Sequence, residues 1–355
     1  MKKLLAVVLC LVASVCMFAC GDKESDSYEI AMITDKGTID DKSFNQGTWE
    51  GIKEFAEEND KTYKYYQPTE DSYAARMEQI DLAVKGGAKI IATPGFLFEE
   101  CIYDAQEKYP DVKFILIDGR PHDKDYKNFK TADNTVSILF AEQEAGYLAG
   151  YAAVQNGYTK LGFMGGQPVP AVTRYGYGFV QGANDAAAEK GITVDMKFSY
   201  ADGFSPSPEI QTKAAGWYAD GTEVIFSCGG GIYSSITAAA EASEGKAVIG
   251  VDVDQSSESE TIVTSAMKGL KVAVVKELKA YYDDKFAGGE DLTLSAKDDA
   301  VALPMDTSKL DNFSEKQYKK LLEKVKKGEV TIPTDTDAEK ADGLNVPNVK
   351  VQVVA

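Results

Sequence analysis

The chain is 355 residues long, more than one hydrophobic core ordinarily supports, so two domains are expected. Hydrophobic residues at 44% and charged residues at 26% are those of a globular protein, and a formal charge of −18 repels nucleic acid and anionic lipid surfaces, which argues against nucleic-acid binding. A single histidine removes histidine-rich metal sites, and the cysteines show no metal-ligand spacing.

The chain opens with Lys2 and Lys3 ahead of an apolar run over residues 4–19, which reads as a signal peptide and is short for a membrane span. Met17-Phe18-Ala19-Cys20-Gly21 resembles a bacterial lipobox, in which Cys20 would be acylated and become the first mature residue. The plain alternative is a secreted protein with an unmodified Cys20. Residues 20–27 form a polar tether of flexible composition. Loss of residues 1–19 takes away two lysines and no acids, so the mature charge is about −20.

Residues 28–33 alternate well enough for a strand, and residues 34–50 crowd Asp35, Asp40, Asp41, Ser43 and Asn45 into the loop after it. Ser43 and Gln46 have capping-box spacing, and Trp49, Ile52 and Phe55 recur as the buried stripe of a helix. Strands over 62–66, 88–93, 113–117 and 135–140 alternate with helices over 71–85 and 98–108. A small-residue helix over 141–155 then leads into a second series. Its strands fall at 160–164, 193–200, 223–227 and 247–251, and its helices at 175–190, 207–219 and 232–242. Residues 261–265 read as a short strand, 270–286 as a long helix, 314–327 as an amphipathic helix and 348–354 as an edge strand.

Two such series predict an α/β protein with two doubly wound, Rossmann-like lobes joined by a multi-strand hinge, a clamshell of the type I periplasmic binding protein kind. The expected lobes are residues 28–140 plus 253–288 and residues 141–252 plus 289–355. Hinges are expected near 134–141, 252–260 and 286–291.

In an open α/β sheet, ligands sit outside the carboxyl ends of the strands. The loops there carry Asp35, Ser43, Phe44, Asn45, Asp118, Phe204, Gly230, Asp252 and Lys268. This set has no nucleophile–base pair. It offers aromatic plates, carboxylates and an amide, which suit a planar ring and adjacent hydroxyls or ring N–H groups. Each has a structural alternative. The aspartates could cap helices, Phe204 could pack into the hinge, and Lys268 could lie on a helix surface. Gly229 to Gly231 could form a tight turn, since no P-loop or dinucleotide pattern surrounds them. His122 reads as a solvated loop histidine, and Cys101 and Cys228 as buried free thiols.

Thr34-Asp35 followed by Ile39-Asp40-Asp41-Lys42-Ser43-Phe44-Asn45-Gln46 resembles the signature of the basic membrane protein family. The likeness continues through Ile115-Leu116-Ile117-Asp118, Ile249-Gly250-Val251-Asp252-Val253-Asp254-Gln255 and Val263-Thr264-Ser265-Ala266-Met267-Lys268. Members are lipid-anchored solute-binding proteins of ABC importers, and the best understood are purine nucleoside receptors. The resemblance implies that Phe44 and Phe204 clamp a base, Asn45 and Asp118 read its edge with Asp35 close by, and Asp252 and Lys268 hold the ribose beside Gly230. Asp202-Gly203-Phe204-Ser205 departs from the family's usual pattern.

The expected protein is therefore a nucleoside-binding lipoprotein on the outer face of the cell membrane, attached through Cys20. It would be a monomer, without cofactor or metal, and would deliver its ligand to ABC permease and ATPase subunits. One alternative is a nucleoside hydrolase-like enzyme, whose calcium site needs an aspartate where Ile33 stands. The other is a surface receptor for another solute such as a sugar.

Overall fold

Alternating side chains decide how the first sheet is covered. In strand β1 (Ile30–Ile33), Ile30 and Met32 enter one hydrophobic cluster while Ala31 and Ile33 enter another, so both faces of the strand are buried. The computed structural model describes residues 27–354. The expected signal peptide, Cys20 and nearly all of the tether lie outside the described residues.

From β1 the chain runs through α1 (Phe44–Glu58), β2 (Tyr63–Tyr66), α2 (Tyr73–Lys85), β3 (Ile90–Pro94), α3 (Glu99–Lys108), β4 (Lys113–Ile117) and β5 (Thr135–Phe140). A second series follows as α4 (Glu142–Asn156), β6 (Lys160–Gly165), α5 (Pro170–Lys190), β7 (Val194–Tyr200), α6 (Pro208–Ala219), β8 (Val224–Cys228), α7 (Tyr233–Glu241) and β9 (Ala247–Asp252). The remainder is β10 (Ile262–Lys268), α8 (Leu270–Tyr282), β11 (Asp291–Leu294), β12 (Val301–Ala302), α9 (Glu315–Lys326) and β13 (Val349–Val353).

The first sheet has the order β2-β1-β3-β4-β5-β11, and the second β13-β7-β6-β8-β9-β10-β12. Within each, the first five strands of the series take the same doubly wound order, 2-1-3-4-5, so the switch points lie between β1 and β3 and between β6 and β8. Among the described residues, every pairing between these strands is parallel except β10 with β12. The α/β clamshell expected from the sequence is therefore the observed architecture.

The expected lobe boundaries need two changes. Strand β10 pairs in parallel with β9 and belongs to the second sheet, while β11 pairs with β5 and completes the first. The chain thus crosses between sheets just after β5, just after β10 and just after β11. Residues 262–268 continue the buried run of the second series, whereas β11, half polar and four residues long, carries little pattern of its own.

Local chemistry sets most helix starts. Ser72 and Ser207 accept from the amides of Ala75 and Ile210, and Ser314 forms a full capping box with Gln317. Helix α5 begins five residues before its expected start because Pro170 fits the first turn, where no backbone N–H is needed.

The second lobe is held by a backbone-to-backbone contact between α4 and α5. Gly146 and Gly150 of α4 meet Gly178 and Gly182 of α5 so closely that side chains are excluded. A Cβ on Gly150 would fall 2.1 Å from the carbonyl oxygen of Phe179, and one on Gly178 would fall 2.0 Å from that of Gln143. Beneath the pair, Phe163 and Phe198 stack with centroids 4.4 Å apart, and Phe226 meets Phe163 edge-on. Since α4 and α5 are in contact over rigid backbone, neither helix can yield to an added methyl. Gly150→Ala is expected to destabilise the protein by about 1–3 kcal/mol or more. Thermal unfolding followed by circular dichroism should show a fall of at least ~2 °C, and an unchanged midpoint would refute the contact.

Candidate functional site

The loop after β1 is organised by Asp41. Its carboxylate accepts from the backbone amides of Ser43, Asn45 and Gln46 and from the Asn45 side chain, at 2.9–3.0 Å. Asp41 therefore caps α1, and the expected capping box of Ser43 with Gln46 does not form, because the Ser43 hydroxyl makes no cap bond. That hydroxyl donates instead to Asp252 Oδ2 at 2.5 Å, across the two lobes. Ser43 is wholly buried and stays out of the cavity lining, so its expected role as a ligand contact is replaced by a link between lobes. Gln255 adds a second link, donating to the Lys42 carbonyl at 2.8 Å.

Asp35 accepts from the Gly37 amide and from Asn45 Nδ2, both at 2.8 Å, while Asn45 Oδ1 accepts from the Asp35 amide at 3.2 Å. Burial raises the pKa of Asp35, and these hydrogen bonds oppose the rise. Asp118 and Asp252 terminate β4 and β9 and share an unusual backbone, with φ of +56° and +67°. Aspartate tolerates this left-handed region better than most residues, and strain of this kind collects at functional sites. The left-handed turn aims both carboxylates at the same cation.

That cation is Lys268, the last residue of β10. Its Nζ hydrogen-bonds Asp118 Oδ2 and lies 3.6 Å from Glu142 Oε1 and 3.7 Å from Asp252 Oδ1. It also stands 4.7 Å above the Phe44 ring. Burial works against the ammonium, but Asp118, Asp252 and Glu142 outweigh it and hold the Lys268 pKa above its ordinary value. Burial lifts Asp118 to about 7; Lys268 opposes that rise, and Glu142 and Asp252 add to it. Glu142 Oε2 accepts from Arg174 Nε at 2.6 Å, and Arg174 reaches on to Asp335 at 3.1 Å.

All of this surrounds a cavity of about 600 Å3 between the lobes. Asp35, Phe44, Asn45, Asp118, Phe204, Gly230, Asp252 and Lys268 line it, so eight of the nine expected contacts meet there. Phe204 lies across the backbone of Gly166, where a Cβ would come 2.4 Å from its ring, and its carbonyl accepts from the Gly231 amide. Gly230 has φ +49°, a turn conformation that a side chain would strain.

Several lining residues carried no recognised signal in the sequence. His122 is 3% exposed, stacked on Tyr126 at 3.8 Å and placed 3.2 Å from Glu99, so the expected solvated histidine is in fact packed into the cavity rim. Tyr126 and Phe129 stand exposed on the same hairpin. Arg174 and Tyr175 were also missed, as was Glu142 just behind the cavity wall. An acid two residues beyond the carboxyl end of a buried strand was the available clue for Glu142. Cys101 and Cys228 are free and buried, as expected.

Residues 28–336 match the family model Bmp, described as ABC transporter substrate-binding protein PnrA-like. The chain is 29% identical to the ABC transporter nucleoside-binding protein BmpA of Lactococcus lactis subsp. cremoris, over 94% of this chain and 99% of that protein. It is 28% identical to basic membrane protein A of Borreliella burgdorferi, over 95% and 97% of the two chains. Among solved structures, an ABC transporter solute-binding protein from Aeropyrum pernix K1 superimposes with a TM-score of 0.74 at 22% identity, covering 89% of this chain and 95% of that one.

The Lys268 cluster makes a stability prediction. Removing the cation leaves buried Asp118 and Asp252 without a counter-charge, while Glu142 keeps Arg174. Lys268→Met is therefore expected to lower unfolding stability by about 3–5 kcal/mol at pH 7.5. In the variant the folded-state pKa values of Asp118 and Asp252, already raised by burial and held down by Lys268, rise further above their unfolded values. The folded variant then binds more protons than the unfolded chain, so the penalty should shrink as pH falls towards 5. Urea unfolding of parent and variant at both pH values checks this; an equal penalty at the two would contradict it.

Proposed function

Because the chain belongs to the Bmp family of PnrA-like ABC transporter substrate-binding proteins, we propose that its ligand is a nucleoside, held between the lobes and handed to an ABC permease. As a solute-binding protein of an ABC transporter it is not an enzyme, and the hydrolase alternative falls with that assignment. The observation that carries the nucleoside reading is the pairing of Phe44 and Phe204, from opposite lobes, on one cavity with Asp118, Asp252 and Lys268. A planar base fits between two such rings. Asn45 and Asp118 would take its polar edge, with Asp35 setting Asn45, and Asp252 and Lys268 would take the ribose hydroxyls near Gly230. The printed name of the Lactococcus relative supports the same class.

The energetics are adequate. Stacking on an aromatic side chain contributes about 1–3 kcal/mol, and each charge-assisted hydrogen bond about 1.5–3 kcal/mol. Together they exceed the ~8 kcal/mol of micromolar binding before association costs are subtracted. Ligand contacts from both lobes favour the closed state, which the permease would read. Lipid attachment through Cys20 on the outer face of the membrane, a monomeric state and delivery to permease and ATPase subunits complete the proposal.

Titration calorimetry with inosine, guanosine, adenosine and cytidine is expected to give heat with at least one of them. Heat from a pentose alone would replace the nucleoside by a sugar. Phe204→Ala should weaken the best nucleoside by about 1–3 kcal/mol, roughly 5- to 150-fold. Cys20→Ser should move the protein from the membrane fraction to the soluble extracytoplasmic fraction; retention on the membrane would rule out the anchor.

A further inference from the structure

Glu142 stands behind the cavity wall, wholly buried and out of reach of a ligand. One of its oxygens is committed to Arg174. The other, Oε1, has no hydrogen-bond partner and lies 3.6 Å from Lys268 Nζ. Asp118 is its counterpart on the ligand side. It lines the cavity, it holds Lys268 through Oδ2, and its buried Oδ1 also lacks a hydrogen bond. Lys268 is thus bonded to the carboxylate a ligand would need and only in ion-pair range of the one it would not.

We propose that Glu142 is a positioning residue that takes Lys268 from Asp118 when a ligand enters. The ammonium swings on its flexible stem so that Nζ donates to Glu142 Oε1. The Asp118 carboxylate, released from the cation, accepts instead from an N–H on the edge of the ligand's ring. No charge is created or lost in the exchange, so the buried ammonium never stands unpaired. Without Glu142 only Asp252, 3.7 Å away, would remain for the displaced cation. Arg174 and the first turn of α4 bring positive charge to the Glu142 carboxylate from the side away from the cavity. The inference rests on the nucleoside reading above.

Two measurements test it: calorimetric affinities of the parent and of Glu142→Gln for inosine and for purine riboside, which lacks the ring-edge N–H, and a crystal structure of the parent with inosine. Glu142→Gln is expected to weaken inosine about tenfold, the worth of one charge-assisted hydrogen bond, and purine riboside less than about twofold. In the complex, Lys268 Nζ should lie within about 3.2 Å of Glu142 Oε1, with Asp118 on the base. Equal losses for both ligands, no loss for either, or a complex with Lys268 still on Asp118 would overturn the exchange. If the variant fails to fold, the parent complex decides alone. Failure of these two and of guanosine, adenosine and cytidine to bind the parent would remove the nucleoside reading and the exchange together, whereas binding with an unaltered ratio removes only the exchange.

Discussion

The need to neutralise one buried ammonium governs the cleft. Lys268 is buried in the cavity wall, and a lone cation there would be prohibitively unfavourable. Its partners come from both lobes, with Asp118 at the end of a first-sheet strand and Asp252 at the end of a second-sheet strand. The lobes therefore approach one another through charge as well as through shape. The left-handed backbone at both aspartates follows from the same demand, since an extended residue at either position would direct its carboxylate elsewhere. Even the Ser43 hydroxyl is drawn in, satisfying the Asp252 oxygen that Lys268 does not face.

Most of the architecture was legible because hydrophobic periodicity reports burial, and burial on both faces marks a parallel strand. The expected positions of Asp35, Asp118 and Asp252 followed from counting strands, and all three line the cavity. What stayed illegible depends on partners far apart in the chain. Ser43 has capping-box spacing with Gln46, yet Asp41, two residues earlier, accepts from three backbone amides, that of Gln46 among them, and leaves Ser43 free for Asp252. Local spacing cannot say which of two caps wins. Glu142 was invisible for a similar reason: an acid in a helix's first turn is common, and only Arg174 and Lys268, 32 and 126 residues away, distinguish this one. The exchange of β10 and β11 between lobes likewise follows from edge pairing that a run of seven or four residues does not encode.

The cavity combines features that favour a neutral, ring-bearing solute. Its aromatic residues can sandwich a plane, while its lysines and arginines already face carboxylates: Lys268 with Asp118, Arg174 with Asp335, Arg120 with Asp291 and Lys36 with Asp71. An anionic ligand would have to compete for guanidinium and ammonium groups that are spoken for. Nucleosides present hydroxyls and ring N–H groups, which need acceptors, and acceptors are what the lining offers in excess.

The glycine contact between α4 and α5 bears on how the molecule can move. Helices touching through bare backbone have no layer of side chains that could slide, so the second lobe resists shear and must turn as a block. Rotation is then left to the three strand-end crossings. Glu142 lies two residues past the first of these strands and Lys268 ends the second, which places the charge cluster almost on the pivot. Groups on a pivot travel least. The rings of Phe44 and Phe204 can part widely while the ammonium keeps its company, so opening the jaws need not break the electrostatic heart of the site.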